Sequence, residues 1–263
     1  MLRAFVTASL LLWALPAVAQ ERDYCPARPG LGDTPCTIAP GHASLEVGLA
    51  DWQRDNQPDT RTDNVVAGDM LFRLGVSNAD EIDLGWTAYG HSTVRDRMSG
   101  ATSHASGVGD VRIGWRHNLL HPDGEGGSVA LLPFVTLPTG NGPLGAGTWG
   151  AGLEAPMAVP AGSVDLAFTP EIDAAPDADG QGRHFAISGV VGLGFDLAEK
   201  LNLTTELQLA RDEDPSGTTS QALAGLSLAW TPRDNLQLDI GTVAGLNRDA
   251  PDFELYAGIS RRF

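Results

Sequence analysis

The chain has 263 residues, 32 of them Gly and 17 Pro, and a formal net charge of −16. Helix interiors disfavour Gly and Pro, so this composition argues against a helical enzyme; the hydrophobic content is an ordinary 42%, and no stretch reads as a solid apolar core. The excess of acid excludes nucleic acid as a partner, because phosphate binding needs a basic surface.

In chain order the first predicted element is a signal peptide over residues 1–19. Arg3 supplies the positive n-region, Ala4 to Leu15 the apolar h-region, and Ala17-Val18-Ala19 an A-x-A cleavage site. The apolar run is too short to span a bilayer as a helix, and no later stretch reaches 18 uninterrupted apolar residues. Residues 20–42 follow as a Pro/Gly-rich N-terminal segment, expected on the periplasmic side or tucked into a lumen. Its Cys25 and Cys36 are the chain's two cysteines, and an exported context predicts that they pair. A metal site there lacks ligands beyond His42.

From residue 43 onward the period is two. Twelve strands are predicted, at 43–53, 64–76, 81–91, 107–119, 128–138, 148–159, 163–172, 184–196, 200–210, 219–230, 234–246 and a terminal strand ending at Phe263. The ninth is the cleanest, with Leu201, Leu203, Leu207 and Leu209 against Asn202, Thr204, Glu206 and Gln208. The fifth is apolar on both parities and its facing stays open. Polar connections after odd strands, such as 54–63, 92–106, 173–183 and 211–218, are mostly longer than those after even ones, such as 77–80 and 197–199, with 120–127 the exception. An even strand count with loops alternating in length predicts a 12-stranded antiparallel transmembrane β-barrel over 43–263, in the outer membrane of a Gram-negative cell. A terminal amphipathic strand closing on an aromatic resembles the last strand of bacterial outer-membrane barrels, the end read by the barrel-assembly machinery. Lipids of that membrane are then partners as well.

Two stretches carry a family resemblance. Gly107-Val108-Gly109-Asp110-Val111-Arg112-Ile113-Gly114 and Leu131-Leu132-Pro133-Phe134-Val135-Thr136-Leu137-Pro138-Thr139-Gly140 pair a G-x-G-D strand with one ending in L-P-T-G. Together with Leu71 to Val76 running into Glu81-Ile82-Asp83-Leu84, they resemble the outer-membrane transporter-like family named for the MetA pathway of phenol degradation. The resemblance covers about residues 64–263. It implies a β-barrel that passes small solutes, often aromatic or hydrophobic.

Alternation assigns faces. The polar parity, and so the lumen, receives Glu46, Asp69, Arg73, Glu81, Asp83, Arg112, Arg116, Glu154, Asp165, Glu171, Glu206, Asp239 and Glu254. These charges read either as a solute pathway or as structural pairs that brace a narrow interior, with the few cations Arg73, Arg112 and Arg116 as anchors. Trp86, Trp115, Trp149 and Trp230 share the apolar parity and, with Phe263, are expected at the membrane interfaces. Trp52 lies on the opposite parity to Leu45, Val47 and Leu49 and is expected inward.

The acidic loop runs (Asp55, Asp59 and Asp63; Asp173, Asp177 and Asp179; Asp212, Glu213 and Asp214; Asp249 and Asp252) read as solvated surface, with divalent-cation binding as the alternative. Asp177-Ala178-Asp179-Gly180 lacks the Glu a calcium loop carries at its twelfth position, so no metal or cofactor is expected. A lipid-modifying hydrolase would need a Ser and a His within reach at the rim, where His91, Ser92, His104 and Ser106 lie. Passive transport, with no enzyme activity, is the expected function; a non-transporting surface barrel is the alternative.

Overall fold

The computed structural model describes residues 22–263; the expected signal peptide lies outside the described residues. Twelve antiparallel strands follow one another in a closed ring. They are β1 (Ala43–Asn56), β2 (Thr60–Gly75), β3 (Asp80–Asp96), β4 (Thr102–Gly107 and Val111–Leu120), β5 (Ser128–Leu137) and β6 (Gly150–Glu154 and Met157–Ala161). The second half comprises β7 (Val164–Pro176), β8 (Arg183–Ala198), β9 (Leu201–Asp214), β10 (Gly217–Arg233), β11 (Leu236–Gly245) and β12 (Phe253–Arg262). Closure comes from β12 pairing with β1 in a register from Ser44 opposite Arg262 to Arg54 opposite Phe253. Phe263 continues that ladder by exchanging backbone hydrogen bonds with Ala43. A closed ring leaves no unpaired edge, which is the condition for a sheet to cross hydrocarbon.

The alternation that defines the strands also turns the molecule inside out relative to a water-soluble domain. Leu207, Leu209 and Ile240 face outward at 57%, 69% and 57% exposure, while Arg73, Arg116, Glu46 and Glu81 are fully buried. In β5, whose facing the pattern left open, Ser128, Ala130 and Leu132 are buried and Leu131 is exposed.

Three expectations change. First, the far-end polar stretches 54–63, 92–106 and 211–218 are mostly strand, leaving the short connections 57–59, 97–101 and 215–216, while 173–183 keeps the connection 177–182. A ladder satisfies backbone groups whatever the side chains are, so strands of up to 17 residues run past the apolar band. Second, two strands are broken. In β6, Pro156 has no N–H to give the ladder, and its carbonyl accepts from Ala130 N at 3.0 Å. In β4, Val108–Asp110 leave the strand to hold the loop 138–149.

Third, Trp52 faces outward. A bulge between Gly48 and Ala50 shifts the β1–β12 register by one residue, so parity inverts above it. Trp52 therefore lies opposite Leu255 and Val65, edge-on to Phe253 at 6.1 Å, with Arg54 over its ring at 4.6 Å. Asp51 and Gln53 take the lumen side, lining cavities there.

Candidate functional site: a lumen occupied by its own N-terminal segment

Residues 22–42 enter at the end of the barrel that carries Phe263, rise into the lumen and return to that end to begin β1. Arg22 is anchored there, donating to Asn78 O at 2.9 Å and Thr37 Oγ1 at 3.0 Å, while Arg262 donates to the Arg22 carbonyl. The Cys25–Cys36 disulfide ties the rising and returning limbs together.

The segment between the cysteines has no regular structure, so its backbone polar groups need side-chain partners once buried. The strands supply them. Glu46 accepts from Ala27 N and Arg28 N at 3.0 and 2.9 Å, and Glu206 from Leu31 N and Gly32 N at 2.8 and 3.0 Å. Thr169 Oγ1 accepts from Asp33 N at 3.0 Å and Glu81 Oε2 from Ile38 N at 2.5 Å. The carbonyls are met in turn. Arg73 donates to Cys25 O and Cys36 O at 2.8 and 3.0 Å, Gln237 to Arg28 O at 2.7 Å, Asn118 to Pro35 O at 2.8 Å, and Arg116 to Thr34 O. The tip can lie this close because it is glycine: at Gly30, where φ is +126°, a Cβ would stand 2.7 Å from Glu206 Oε2.

Charge pairs complete the dock. Glu81 Oε1 receives both Arg73 Nε at 2.7 Å and Arg116 Nε at 3.2 Å, Arg73 also meets Glu46 at 3.1 Å, and Arg116 meets Asp83 at 3.0 Å. Two charges from the segment join them: Asp33 pairs with Arg116 at 2.9 Å and Arg28 with Asp239 at 2.9 Å. Burial pulls the Asp33 carboxyl up, but the adjoining Arg116 guanidinium, backed by Arg73 and Arg112, brings it below the ordinary aspartate range.

The other expected lumen residues are placed as follows. Arg112 bonds Glu154 and lies 3.8 Å over the Phe134 ring. Asp69 accepts from Thr87 Oγ1 at 2.7 Å, and Glu254 from Gln53 at 3.4 Å. Glu171 lines a lumen cavity. Asp165 is exposed near the β6–β7 turn, in no ion pair among the described residues. Sequence reasoning missed Arg28, Asp33, Thr169, Asn118 and Gln237. Arg28 and Asp33 sit between the cysteines, the one signal that could have flagged them. The segment divides the lumen: cavities of about 270 and 210 Å3 lie on the side away from Phe263, and one of about 280 Å3 on the other.

The two sequence stretches that carry the resemblance meet in space. Asp110 accepts from Gly140 N at 2.6 Å and Ala146 N at 2.8 Å, and Thr139 Oγ1 accepts from Val111 N at 2.9 Å. They fold the loop 138–149 over the lumen so that Leu144 rests on Gly90, where any Cβ would collide with it. Both stretches therefore act on the shape of the mouth.

Of the interface aromatics, Trp115 and Trp230 are about half exposed near the Phe263 end, Trp86 sits opposite Met70 further along, and Trp149 stacks under Arg183 at 3.5 Å at the far end. His91 Nδ1 reaches Ser106 Oγ at 2.7 Å, but its Nε2 meets Thr93 at 3.2 Å, so no carboxylate orients the ring, and Ser92 is buried on the other face.

The family model for the MetA-pathway of phenol degradation matches residues 27–263. Among solved structures the chain is similar to the NanC porin, at 7% identity over 83% of this chain and 98% of that one, with a TM-score of 0.51. It is also similar to the translocator domain of the autotransporter NalP from Neisseria meningitidis, at 14% identity over 85% and 88%, with a TM-score of 0.56. At such identities the likeness is one of fold, that of an outer-membrane barrel. No curated protein matches the chain.

Proposed function

The chain belongs to the MetA-pathway of phenol degradation family, and from that premise we propose that it is a passive conduit for small aromatic or hydrophobic solutes, closed at rest by residues 22–38. The Phe263 end faces the periplasm and the long hairpins face outward. The observation that carries the reading is the division of the lumen into cavities above and below a segment that is no part of the strand ladder. The strap is held by about a dozen polar contacts to strand side chains, most of them to charged groups, and none belongs to the strand ladder, so its tip can shift while the ladder stays intact.

The test is solute flux into liposomes containing the refolded protein. Wild type should pass small phenols slowly, and Arg28→Ala, which releases the tip from Asp239, should speed them several-fold. Equal, background-level flux in both proteins would instead favour the non-transporting barrel.

A further inference from the structure

We infer that the outer face of β1–β3, just past the apolar band, is a docking surface for the phosphate groups of a phosphorylated membrane lipid. One level divides apolar from basic side chains on these strands. On the side toward Phe263 the outward parity reads Val47 and Leu49 on β1, Phe72 and Met70 on β2, and Leu84 and Trp86 on β3. Trp52, Val65 and Tyr89 end that band. Beyond them stand Arg54, then Asp63 and Arg61, then His91, Thr93 and Arg95. Arg54 points outward because parity inverts at the bulge after Gly48. Register carries the others to the same face: Arg54 lies opposite Asp63 and Asp63 opposite Thr93, while Asn56 lies opposite Arg61 and Arg61 opposite Arg95.

In a chain of net charge −16 this face is basic. Its one strand carboxylate, Asp63, is shared: Oδ1 takes Arg54 Nε at 2.7 Å and Oδ2 takes Arg61 Nε at 2.8 Å. Arg97, in the turn after β3, adds a fourth guanidinium by donating to Asn56 Oδ1 at 2.8 Å. Arg95 is exposed and in no ion pair among the described residues, although it stands directly opposite Arg61. Like charges directly opposite on adjacent strands repel, and an anion between them removes that cost. The acids at the strand ends do not supply it. Asp96 accepts from Met98 N and Ser99 N at 2.8 Å each, Asp252 from Asn56 N at 2.6 Å, and Asp59 lies in the β1–β2 turn. Guanidinium forks take phosphate oxygens in bidentate pairs. The occupant is a lipid, because the basic patch runs directly into exposed Val65, Tyr89 and Leu255, with Trp52 edge-on to Phe253. Acyl chains cover that lower part while the headgroup meets the arginines; a free phosphate or an acidic peptide matches the upper part alone.

With the long hairpins facing outward, as proposed above, this lipid belongs to the outer leaflet. The inference rests on that orientation and not on solute passage, so a barrel that retains the lipid yet passes no phenol would sink the conduit alone. Add diphosphoryl lipid A to the refolded protein in neutral detergent and count retained lipid by native mass spectrometry. Saturable retention by wild type is expected, and an excess of inorganic phosphate should not displace it. Each Arg near an anionic lipid surface is worth about 5-fold, so Arg61→Ala/Arg95→Ala should weaken retention by roughly 25-fold. Arg211→Ala should bind as wild type does, because that guanidinium lies across the ring on β9 and is already paired with Glu213 at 3.0 Å. Should the double variant fail to refold, Arg95→Gln alone carries the comparison, with a loss of about 5-fold. Absence of saturable retention by wild type, unchanged retention in the Arg61/Arg95 or Arg95 variant, an equal loss in Arg211→Ala, or displacement by inorganic phosphate would each overturn the assignment.

Discussion

At the scale of single residues, the lumen shows what a buried charge requires. Glu81 is shared by two fully buried guanidiniums and also accepts from Ile38 N. Glu81→Ala leaves both cations short of a partner in a site closed to water, where breaking a buried pair costs about 3–5 kcal/mol. Urea unfolding of the refolded variant should show a loss of that order, and a change below about 1 kcal/mol would mean that Asp83 and Glu46 compensate. Gly90 is the steric counterpart. Gly90→Val drives a side chain into Leu144, so the loop 138–149 should detach from the mouth and become sensitive to protease while the barrel stays folded.

At the scale of elements, the strap and the strands depend on each other. The disulfide closes a short loop between residues 25 and 36, and removing such a crosslink costs about 2–4 kcal/mol by enlarging the freedom of the undocked segment. In Cys25→Ser/Cys36→Ser, hydrogen exchange at the amides of Ala27, Arg28, Leu31 and Gly32 should quicken while strand amides stay protected. Equal protection in both proteins would show that the strand carboxylates alone hold the strap.

Docking should also respond to acid. The folded Asp33 carboxyl titrates below its free value. Its contribution to docking is therefore complete above the free aspartate pKa of about 4 and is lost as pH falls through the lower folded value. The same amides should thus stay protected at neutral pH and exchange faster, after correction for intrinsic rates, once the pH drops below that range.

At the scale of the whole molecule, closure by β12 makes the sheet compatible with a bilayer. Truncation after Pro251 removes β12 and exposes the edges of β1 and β11. Such a chain should fail to give the heat-modifiable band of a folded barrel on cold gel electrophoresis and should aggregate through its open edges. A truncated chain that still showed that band would mean that β11 can pair with β1 directly.

The sequence by itself determined the strand number, the inside-out alternation and the placing of Glu46, Arg73, Glu81 and Arg116 on one face. Side-chain parity is local, and each strand states it within a few residues. Only the tertiary structure decided what those charges are for. The partners of Glu46 and Glu206 are backbone amides of a segment with no periodicity, up to 175 residues away, and no local pattern encodes a contact at that separation. Trp52 was misplaced for a related reason: a bulge is a mismatch between two strands, invisible in either alone. His184 meets Asp212 and Asp214 likewise only through the register of β8 against β9, in which Ala186 faces Asp212.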